Sequence, residues 1–503
     1  MNAITSITIT PTVAQANATV TVNGTLVTSG SPSGPVSLTV GPNTITVVVT
    51  AQDGVAVRSY TVAVTRLPGL PTATTLAATA ILGTGATLNA SINPGGYADA
   101  FFQLGLTTNL SATVSTLAGS GTDGFTNGTG AAAQFYNPLG VAVDSGGNVY
   151  VADCYNNRIR KITPAGVVTT LAGSGAFAYT NGTGTNAAFF FPYDVAVDAS
   201  GNVYVGDSRN YRIRTVSSAG VVTTLAGSGT QGFADGAGAT AKFYSTFGVA
   251  VDSGGIVYVA DAQNTRVRKV TTLGEVSTLA GSSTSGYFDS TTGGLARFNV
   301  VNSVAVDASG NVYVADEGNH CIRKVTAEGV VTTLAGSTTS GYVDGTGAAA
   351  RFYNPKGVAL DASGNLYVVD SLNYRIRKVS PTGVVTTLAG NGTQSFADGP
   401  GATAMFNGMK GVAVDGSGNV YVGDFGNSRI RKITPATLPL LLAQSGLTGS
   451  SAVPVSLIVT GLLPETTYYY RSVTTNGAGT AYGDFLSFTT LGTNAILSGL
   501  ALS

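Results

Sequence analysis

The chain has 503 residues, of which 43% are apolar, only 10% are charged and 68 are glycine. Its 25 basic and 25 acidic residues cancel, so the sequence gives no electrostatic basis for binding nucleic acid or an anionic membrane surface. One histidine and two cysteines exclude a multi-histidine metal cage and a disulfide framework. The apolar runs are too short for membrane insertion, and MNAITSITIT does not have the form of a signal peptide.

Residues 1–66 alternate apolar and polar side chains, as in ATVTVNG at 18–24 and NTITVVVTAQDG at 43–54. A period of two predicts β-strands with one face in a core. The region resembles the cadherin-like β-sandwich module of bacterial surface proteins. That family normally opens with a strand of the form N-A-x-L-S-x-L-x-L-S, and no such strand precedes Met1. The side chains expected to line the core of this incomplete sandwich are Ile7, Ile9, Val20, Val22, Ile45 and Val47.

Residues 70–112 begin a second domain. TTLAATAILGTGATLNASINPGG is followed by AFFQLGL, and these runs predict the first three strands of a sandwich that is left unfinished at this point.

Residues 113–435 are dominated by an internal repeat. The motif VAVD, or VALD in the fifth copy, recurs at intervals of 54 or 55 residues, and a run of the form YVAD, a run of the form RIRK and a run of the form TLAG follow it in most copies. Four short alternating runs per copy, separated by turn residues, predict the four antiparallel strands of a propeller blade. The repeated motifs end at Asp144, Asp198, Asp252, Asp307, Asp361 and Asp415, and at Asp153, Asp207, Asp261, Asp316, Asp370 and Asp424.

The sixth copy ends at RIRKI, 429–433, without its fourth strand, whereas a spare fourth strand, VSTLAG, stands at 114–119. Pairing of these two strands would close a ring of six blades and remove two exposed strand edges. The side chains assigned to this closure are Val114, Leu117, Ile430 and Ile433. The segment NPLGVAVDSGGNVYVADCYNNRIRKITPAGVVTTLAG at 137–173 and its five relatives resemble NHL repeats, a resemblance that implies a six-bladed β-propeller.

Residues 436–491 contain SLIVTGLLPETTYYYRSVTTNGAGTAYGDFLSFTT, which predicts the remaining strands of the second sandwich. Because ring closure brings the two ends of the propeller together, the propeller can be inserted in one loop of a host domain. LLPETTY at 462–468 is similar to the L-x-P-x-T-x-Y signature of fibronectin type III domains, with Tyr468 at the tyrosine-corner position. The fold class is therefore all-β, with a six-bladed propeller and two immunoglobulin-like β-sandwiches.

The sequence NAILSGLALS at 494–503 matches the opening strand that the N-terminal sandwich lacks. Two interpretations stay open. The chain is one period of a tandem array, or this orphan strand completes the N-terminal sandwich of a neighbouring subunit by β-strand donation. Repeated head to tail, the second contact builds a filament. The donor side chains would be Ile496, Leu497, Leu500 and Leu502.

The repeated aspartates do not predict a catalytic or metal site, because a residue present in every blade is better explained by a turn or by an arginine partner. The loops FADGAG at 233–238, YVDGTG at 342–347 and FADGPG at 396–401 each offer one carboxylate, which predicts Asp-Gly turns and not Ca²⁺ sites. Cys154 and Cys321 fall in opposite blades, so we expect two unpaired, buried cysteines. No catalytic residue, cofactor or metal is predicted.

These features favour a non-enzymatic structural protein, located outside the cell or at its surface, that binds copies of itself. An alternative is an adhesin whose propeller binds a glycan or a protein, and a third hypothesis is a lactonase-like hydrolase.

Overall fold

In the computed structural model, residues 5–66, 68–105, 112–435 and 440–492 are described. The chain forms two compact units, Met1–Leu110 with Thr437–Ser503, and Ser111–Ala436. The predicted all-β class is confirmed, since the described residues contain strands and short 3-10 helices but no α-helix. Accordingly, these residues include no helix of a length and hydropathy that could cross a membrane. The 3-10 helices are Gly130–Ala132, Cys154–Asn156, Gly184–Asn186, Ser208–Asn210, Ala262–Asn264, Gly293–Leu295, Glu317–Asn319, Gly347–Ala349, Ser371–Asn373 and Phe425–Asn427.

The N-terminal sandwich has two sheets. Its strands are β1 (Ser6–Ile7), β2 (Thr19–Val22), β3 (Thr25–Val27), β4 (Val36–Ser37), β5 (Gly41–Thr50) and β6 (Val57–Arg66). Strand β1 pairs with β4, and the other strands form a sheet in the order β3-β2-β5-β6. Alternate residues of β2 and β5 point into the core between the sheets, as the period of two requires.

Three strands of the second sandwich follow, β7 (Thr72–Thr79), β8 (Gly85–Asn93) and β9 (Gly96–Gly105). The chain then enters the propeller through β10 (Thr113–Ala118).

Each propeller blade is a four-stranded antiparallel sheet. Blade one contains β12 (Pro138–Val143), β13 (Val149–Asp153), β14 (Arg158–Ile162) and β15 (Val167–Ala172). Blade two contains β17 (Pro192–Val197), β18 (Val203–Asp207), β19 (Arg212–Val216) and β20 (Val221–Ala226). Blade three contains β21 (Thr246–Val251), β22 (Val257–Asp261), β23 (Arg266–Val270) and β24 (Val276–Ala280).

Blade four contains β25 (Val301–Val306), β26 (Val312–Asp316), β27 (Cys321–Val325) and β28 (Val331–Gly336). Blade five contains β30 (Pro355–Leu360), β31 (Leu366–Asp370), β32 (Arg375–Val379) and β33 (Val384–Ala389). Blade six contains β35 (Met409–Val414), β36 (Val420–Asp424), β37 (Arg429–Thr434) and β10. Two-residue strands β11 (Gly128–Thr129), β16 (Gly182–Thr183), β29 (Gly345–Thr346) and β34 (Gly399–Pro400) pair with the outer strands of blades one, two, five and six.

The six blades form a closed ring. The first strands of neighbouring blades contact one another all the way round, including the pair β12 and β35. Six buried apolar clusters, one for each pair of adjacent blades, fill the spaces between the sheets. The tight turn after the first strand has a glycine with positive φ in all six blades, as at Gly147, where φ is +77° and an L side chain would be strained.

The second sandwich is completed after the propeller by β38 (Leu440–Gly449), β39 (Val453–Thr460), β40 (Thr467–Asn476), β41 (Gly479–Tyr482) and β42 (Leu486–Thr489). Each of its sheets combines strands from the two separate chain segments, because β9 lies between β38 and β40 and β8 lies between β39 and β7. The Tyr468 hydroxyl accepts a hydrogen bond from the Leu463 backbone N–H at 2.9 Å.

Candidate functional site

The aspartates that end the second strand of each blade form buried ion pairs with arginines of the third strand. In every blade one carboxylate oxygen lies 2.6 to 2.8 Å from an arginine Nη1, and both side chains are fully buried. Burial raises the pKa of Asp153 to about 6, although the charge of Arg160 opposes this shift. The arginine partner proposed from the sequence is therefore present in all six blades, and these carboxylates hold the blade together.

The aspartates that follow the first strand cap turns. Asp144 accepts hydrogen bonds from the backbone N–H groups of Gly146 and Asn148, both at 2.9 Å, and from the Tyr150 hydroxyl at 3.1 Å. Burial alone would raise the pKa of Asp144, but hydrogen bonds from these three residues hold it below the ordinary value. This carboxylate too has a structural role.

The aspartates of the FADG-type loops have a role that the sequence analysis missed. We expected only Asp-Gly turns, but Asp235, Asp344 and Asp398 lie 2.5 to 2.6 Å from the Nη2 atoms of Arg268, Arg377 and Arg431. Asp289 pairs in the same way with Arg323. The aspartate lies some 33 residues before the arginine, so no local motif indicates the ion pair. The equal Asp-to-Arg spacing in several blades could have revealed it.

The two cysteines are free and buried, as expected. Burial raises the pKa of the Cys154 thiol to about 12, which argues against a reactive thiolate at neutral pH. His320 lies in a turn with a positive φ of 56°, and its Nδ1 accepts a hydrogen bond from the Asn354 backbone N–H at 3.3 Å.

The residues assigned to ring closure lie in paired strands. Strand β10 pairs with β37 as the outer strand of blade six, where Val114 stands opposite Ile433 and Ala118 opposite Ile430. Val114, Ile430 and Ile433 are buried, and Leu117 packs against the apolar cluster between blades six and one.

The residues assigned to the N-terminal acceptor sandwich share one core. Val20, Val22, Ile45 and Val47 are buried there, and Ile7 and Ile9 pack against them. Beside this core lies a cavity of about 810 Å³, here called the sandwich groove. Its apolar lining residues include Ile9, Val13, Val47, Val49, Val57 and Tyr60, and Arg58 is the only charged side chain of the described ranges that lines it.

One side of the sandwich groove is formed by an unpaired strand edge. Within the described residues β6 pairs only with β5, so its outer edge offers backbone donors and acceptors along ten residues. Val57 and Tyr60 are 56% and 55% exposed. The donor residues Ile496, Leu497, Leu500 and Leu502 lie outside the described residues, so their position is not assigned.

The central channel of the propeller is not uniform. At one end, the VAV or VAL residues of all six first strands form an apolar ring around a cavity of about 210 Å³. At the other end, the second residue of the first strand differs between most blades, in the order Leu139, Tyr193, Phe247, Asn302, Lys356 and Lys410.

Lys410 crosses this end of the channel. Its side chain comes from blade six, is 1% exposed, and donates hydrogen bonds to the backbone carbonyls of Tyr193 in blade two and Phe247 in blade three, at 3.3 and 3.2 Å. Its Nζ lies 4.0 Å from the centre of the Tyr193 ring, which stacks on Phe247 at 4.2 Å. Burial lowers the pKa of Lys410 to about 8, although Asp194 opposes the shift.

A pocket of about 540 Å³ opens beside this lysine on blades one to three, with Phe425 of blade six in its wall. We call it the channel-mouth pocket. Its lining residues are Asn137, Leu139, Cys154, Tyr155, Phe191, Tyr193, Ser208, Arg209, Tyr244, Ser245, Phe247, Gln263 and Phe425. None of these residues was predicted from the sequence to form a binding site. Their signal was present in the sequence, as departures from the repeat at equivalent positions of the six copies.

The channel-mouth pocket has the composition of a binding site. Aromatic rings form much of its wall, and amide, hydroxyl and guanidinium groups are interspersed among them, which is the usual make-up of small-ligand sites. No three His, Cys, Asp or Glu side chains within the described ranges lie close enough together to hold a metal ion.

Comparison with known families supports two of the three resemblances. Residues 1–67 match the cadherin-like β-sandwich domain. The NHL repeat matches residues 135–162, 298–325, 352–379 and 406–433.

Several curated proteins are similar to part of this chain. Protein SUPPRESSOR OF QUENCHING 1 of Arabidopsis thaliana is 29% identical over 53% of this chain and 27% of its own length. Human NHL repeat-containing protein 2 is 28% identical over 56% of this chain and 44% of its own length. Teneurin-3 of Danio rerio is 29% identical over 61% of this chain and 12% of its own length. The chain thus spans less than half of each of these relatives.

A crystal structure of a protein of unknown function from Bacteroides thetaiotaomicron has a similar fold. It aligns with a TM-score of 0.51 and 19% sequence identity, over 83% of this chain and 90% of that protein. At this identity the similarity concerns the fold alone.

Proposed function

We propose that the chain is a non-enzymatic, extracellular or cell-surface structural protein whose N-terminal sandwich accepts a β-strand from another copy. The observation that carries this proposal is the sandwich groove, an apolar cavity bordered by the unpaired edge of β6. An apolar cavity beside an unpaired edge fits one added strand, whose backbone would pair with β6 and whose alternate side chains would enter the cavity.

The donor is residues 494–503 of a second copy. This segment has no charged residue. It therefore matches the sandwich groove, whose described lining is apolar or uncharged except for Arg58. Each leucine buried on docking would contribute about 1.5–3 kcal/mol before the cost of ordering the segment. Ile496, Leu500 and Leu502 share one face of an extended strand, and three apolar side chains that enter together give enough gross stabilisation for a specific contact. Repeated head to tail, this contact produces a filament.

The location and the non-enzymatic role rest on the architecture. The match to a cadherin-like module supports a place at the cell surface in a bacterial context. Most of the repeated propeller carboxylates are committed to turns and ion pairs, which speaks against a lactonase-like use of them. We further propose that the second sandwich is a fibronectin type III-like host domain of the propeller, because the Tyr468 hydroxyl bonds the backbone five residues upstream as a tyrosine corner does.

A complementation experiment tests strand donation. The donor variant carries Leu497→Asp, Leu500→Asp and Leu502→Asp, and the acceptor variant carries Tyr60→Asp in the sandwich groove. Light scattering and electron microscopy of the full chain should show concentration-dependent fibres, and neither variant alone should associate. An equimolar mixture of the two should give a 1:1 heterodimer and nothing longer, because only one intact donor and one intact acceptor are present.

Leu273→Asp is the matched control, since Leu273 is a highly exposed leucine of the propeller and its replacement should leave the fibres intact. Fibres that persist in either variant would refute strand donation. If the unmodified chain stays monomeric but binds a synthetic peptide of residues 494–503 in a Tyr60-dependent manner, the sandwich is an acceptor within a tandem array and self-assembly is refuted.

A further inference from the structure

The aromatic character of the channel-mouth pocket is confined to part of the ring. At the turn after the second strand, blades one to three present Tyr155, Arg209 and Gln263, whereas blades four and six present Gly318 and Gly426. Folding of a blade requires the residues that all copies share. Blade five presents Leu372 at this position, but Leu372 does not line the pocket. The differing side chains of blades one to three that do line it therefore answer to a requirement other than the fold.

The wall of the pocket is held rigidly. Tyr155 packs edge-to-face on Phe191 at 5.2 Å, Tyr193 stacks on Phe247 at 4.2 Å, and Lys410 fixes Tyr193 from below by its hydrogen bonds and its cation–π contact. Aromatic surfaces that are already ordered lose little conformational entropy when a ligand binds. Such surfaces favour a ligand with an apolar, nearly flat face.

The polar groups of the pocket call for a ligand with many hydroxyl groups. Asn137, Ser208, Ser245, Gln263 and three tyrosines line the same cavity, more hydrogen-bonding groups than a purely aromatic ligand would use. A pyranose ring combines a face of C–H groups, which packs on aromatic rings, with a rim of hydroxyl groups. The volume of about 540 Å³ lies within the range of small-ligand sites and suits one or two sugar rings.

The charge of the pocket points to an acidic sugar. Arg209 is exposed and, among the residues that the structure describes, is the only charged one that lines the cavity. Its guanidinium forms no hydrogen bond or ion pair with any residue that the structure describes. A guanidinium beside aromatic walls is well suited to pair with a carboxylate. We propose that the channel-mouth pocket binds the end of a uronic-acid saccharide, with the carboxylate on Arg209 and a sugar face on Tyr155.

Binding to the full chain can be measured by calorimetry with mono- and digalacturonate, glucuronate and mannuronate oligomers, and with their methyl esters as uncharged counterparts. At least one uronate should bind, and its ester should bind about tenfold or more weakly because the charged hydrogen bond is lost. Arg209→Gln should weaken the uronate about tenfold and leave the ester unchanged. Tyr155→Ala and Gln263→Ala should weaken both.

Leu372→Ala is the matched control for Tyr155→Ala, because Leu372 occupies the same turn position in blade five and is comparably exposed. Arg351→Gln, an exposed arginine on another blade, is the control for Arg209→Gln. Equal affinity for acid and ester, or uronate binding that survives both Arg209→Gln and Tyr155→Ala, would overturn the proposal. Failure of every uronate to bind would also overturn it, whatever the outcome of the fibre experiments.

Discussion

The propeller and the N-terminal sandwich are built from the same kind of short alternating strand, but they treat strand edges in opposite ways. The propeller closes its ring with β10 and leaves its blades packed on both sides. The sandwich ends its larger sheet at β6, ten residues long and without a further partner among the described strands. An unpaired edge beside an apolar cavity is a template for another strand. Under the strand-donation proposal, association between copies therefore belongs to the sandwich and not to the propeller.

Charge divides in the same way. All but seven of the 50 charged residues lie in the propeller, and the seven are Asp53, Arg58, Arg66, Asp99, Glu465, Arg471 and Asp484. In the propeller many of these charges are ordered into buried ion pairs that recur in every blade. The sandwiches are stabilised almost entirely by apolar packing and backbone pairing. Burial of a sandwich surface with few charges would require little free energy for the desolvation of charged groups.

The largest loss of stability is expected when a charge is placed on a strand that closes the propeller, compared with the same charge on the unpaired strand β6. Val114→Asp places a charge on a fully buried residue of β10, and we expect a loss of about 4 kcal/mol or more in the free energy of unfolding. Val57→Asp introduces the same charge on the exposed part of β6 and should cost less than about 0.5 kcal/mol. Chemical denaturation measures both. Equal losses would mean that β6 is not an open edge.

The second prediction concerns the two carboxylates that share Arg323. Asp316→Ala leaves a buried guanidinium without its buried partner and should destabilise the propeller by about 3–5 kcal/mol. Asp289→Ala removes a partner that is 41% exposed and should cost about 1 kcal/mol or less. Denaturation of the two variants side by side tests this ranking, which a larger loss for Asp289→Ala would contradict.

The third prediction uses pH to examine the channel. The pKa of Lys410 in the folded protein is lowered to about 8 from an ordinary value of 10.5, so the folded state releases this proton before the unfolded state does. Stability relative to Lys410→Met should therefore rise as the pH rises above 8, by about 2 kcal/mol between pH 8 and 9.5. Denaturation of both proteins across this range provides the measurement. A pH-independent difference would show that Lys410 is not desolvated.

The smallest effect comes from a turn cap. The pKa of Asp144 is held below its ordinary value by hydrogen bonds that outweigh burial, so its contribution is present above the unfolded pKa of 3.8 and is lost as the pH falls through the lower folded pKa. Asp144→Asn should destabilise the propeller by about 1 kcal/mol at pH 7. The two proteins should converge in stability in acid, once the pH is below the folded pKa of Asp144. Thermal unfolding at both pH values tests this, and a gap that persists in acid would contradict it.

The propeller could be predicted almost completely from the sequence, because each blade is specified by short motifs that recur at a nearly constant spacing. The all-β class and the arginine partners of the second-strand aspartates follow from such repetition. The second carboxylate on the same arginine, as at Asp235, was missed because it arrives from a loop 33 residues away. The channel-mouth pocket was missed because Tyr155, Phe191 and Phe247 come from three blades, and only the ring places them side by side.

Strand donation predicts that β6 pairs with residues 494–503 of another copy, and a disulfide trap can detect this pairing. In the double variant Thr61→Cys, Ala501→Cys, strand addition would place the two new thiols on the same face of neighbouring strands, within reach of a disulfide. The native cysteines are buried and should not interfere. Mild oxidation should then produce a ladder of covalent dimers, trimers and longer species, and each single variant should give at most a dimer. A double variant that yields only monomers under the same conditions would contradict the account.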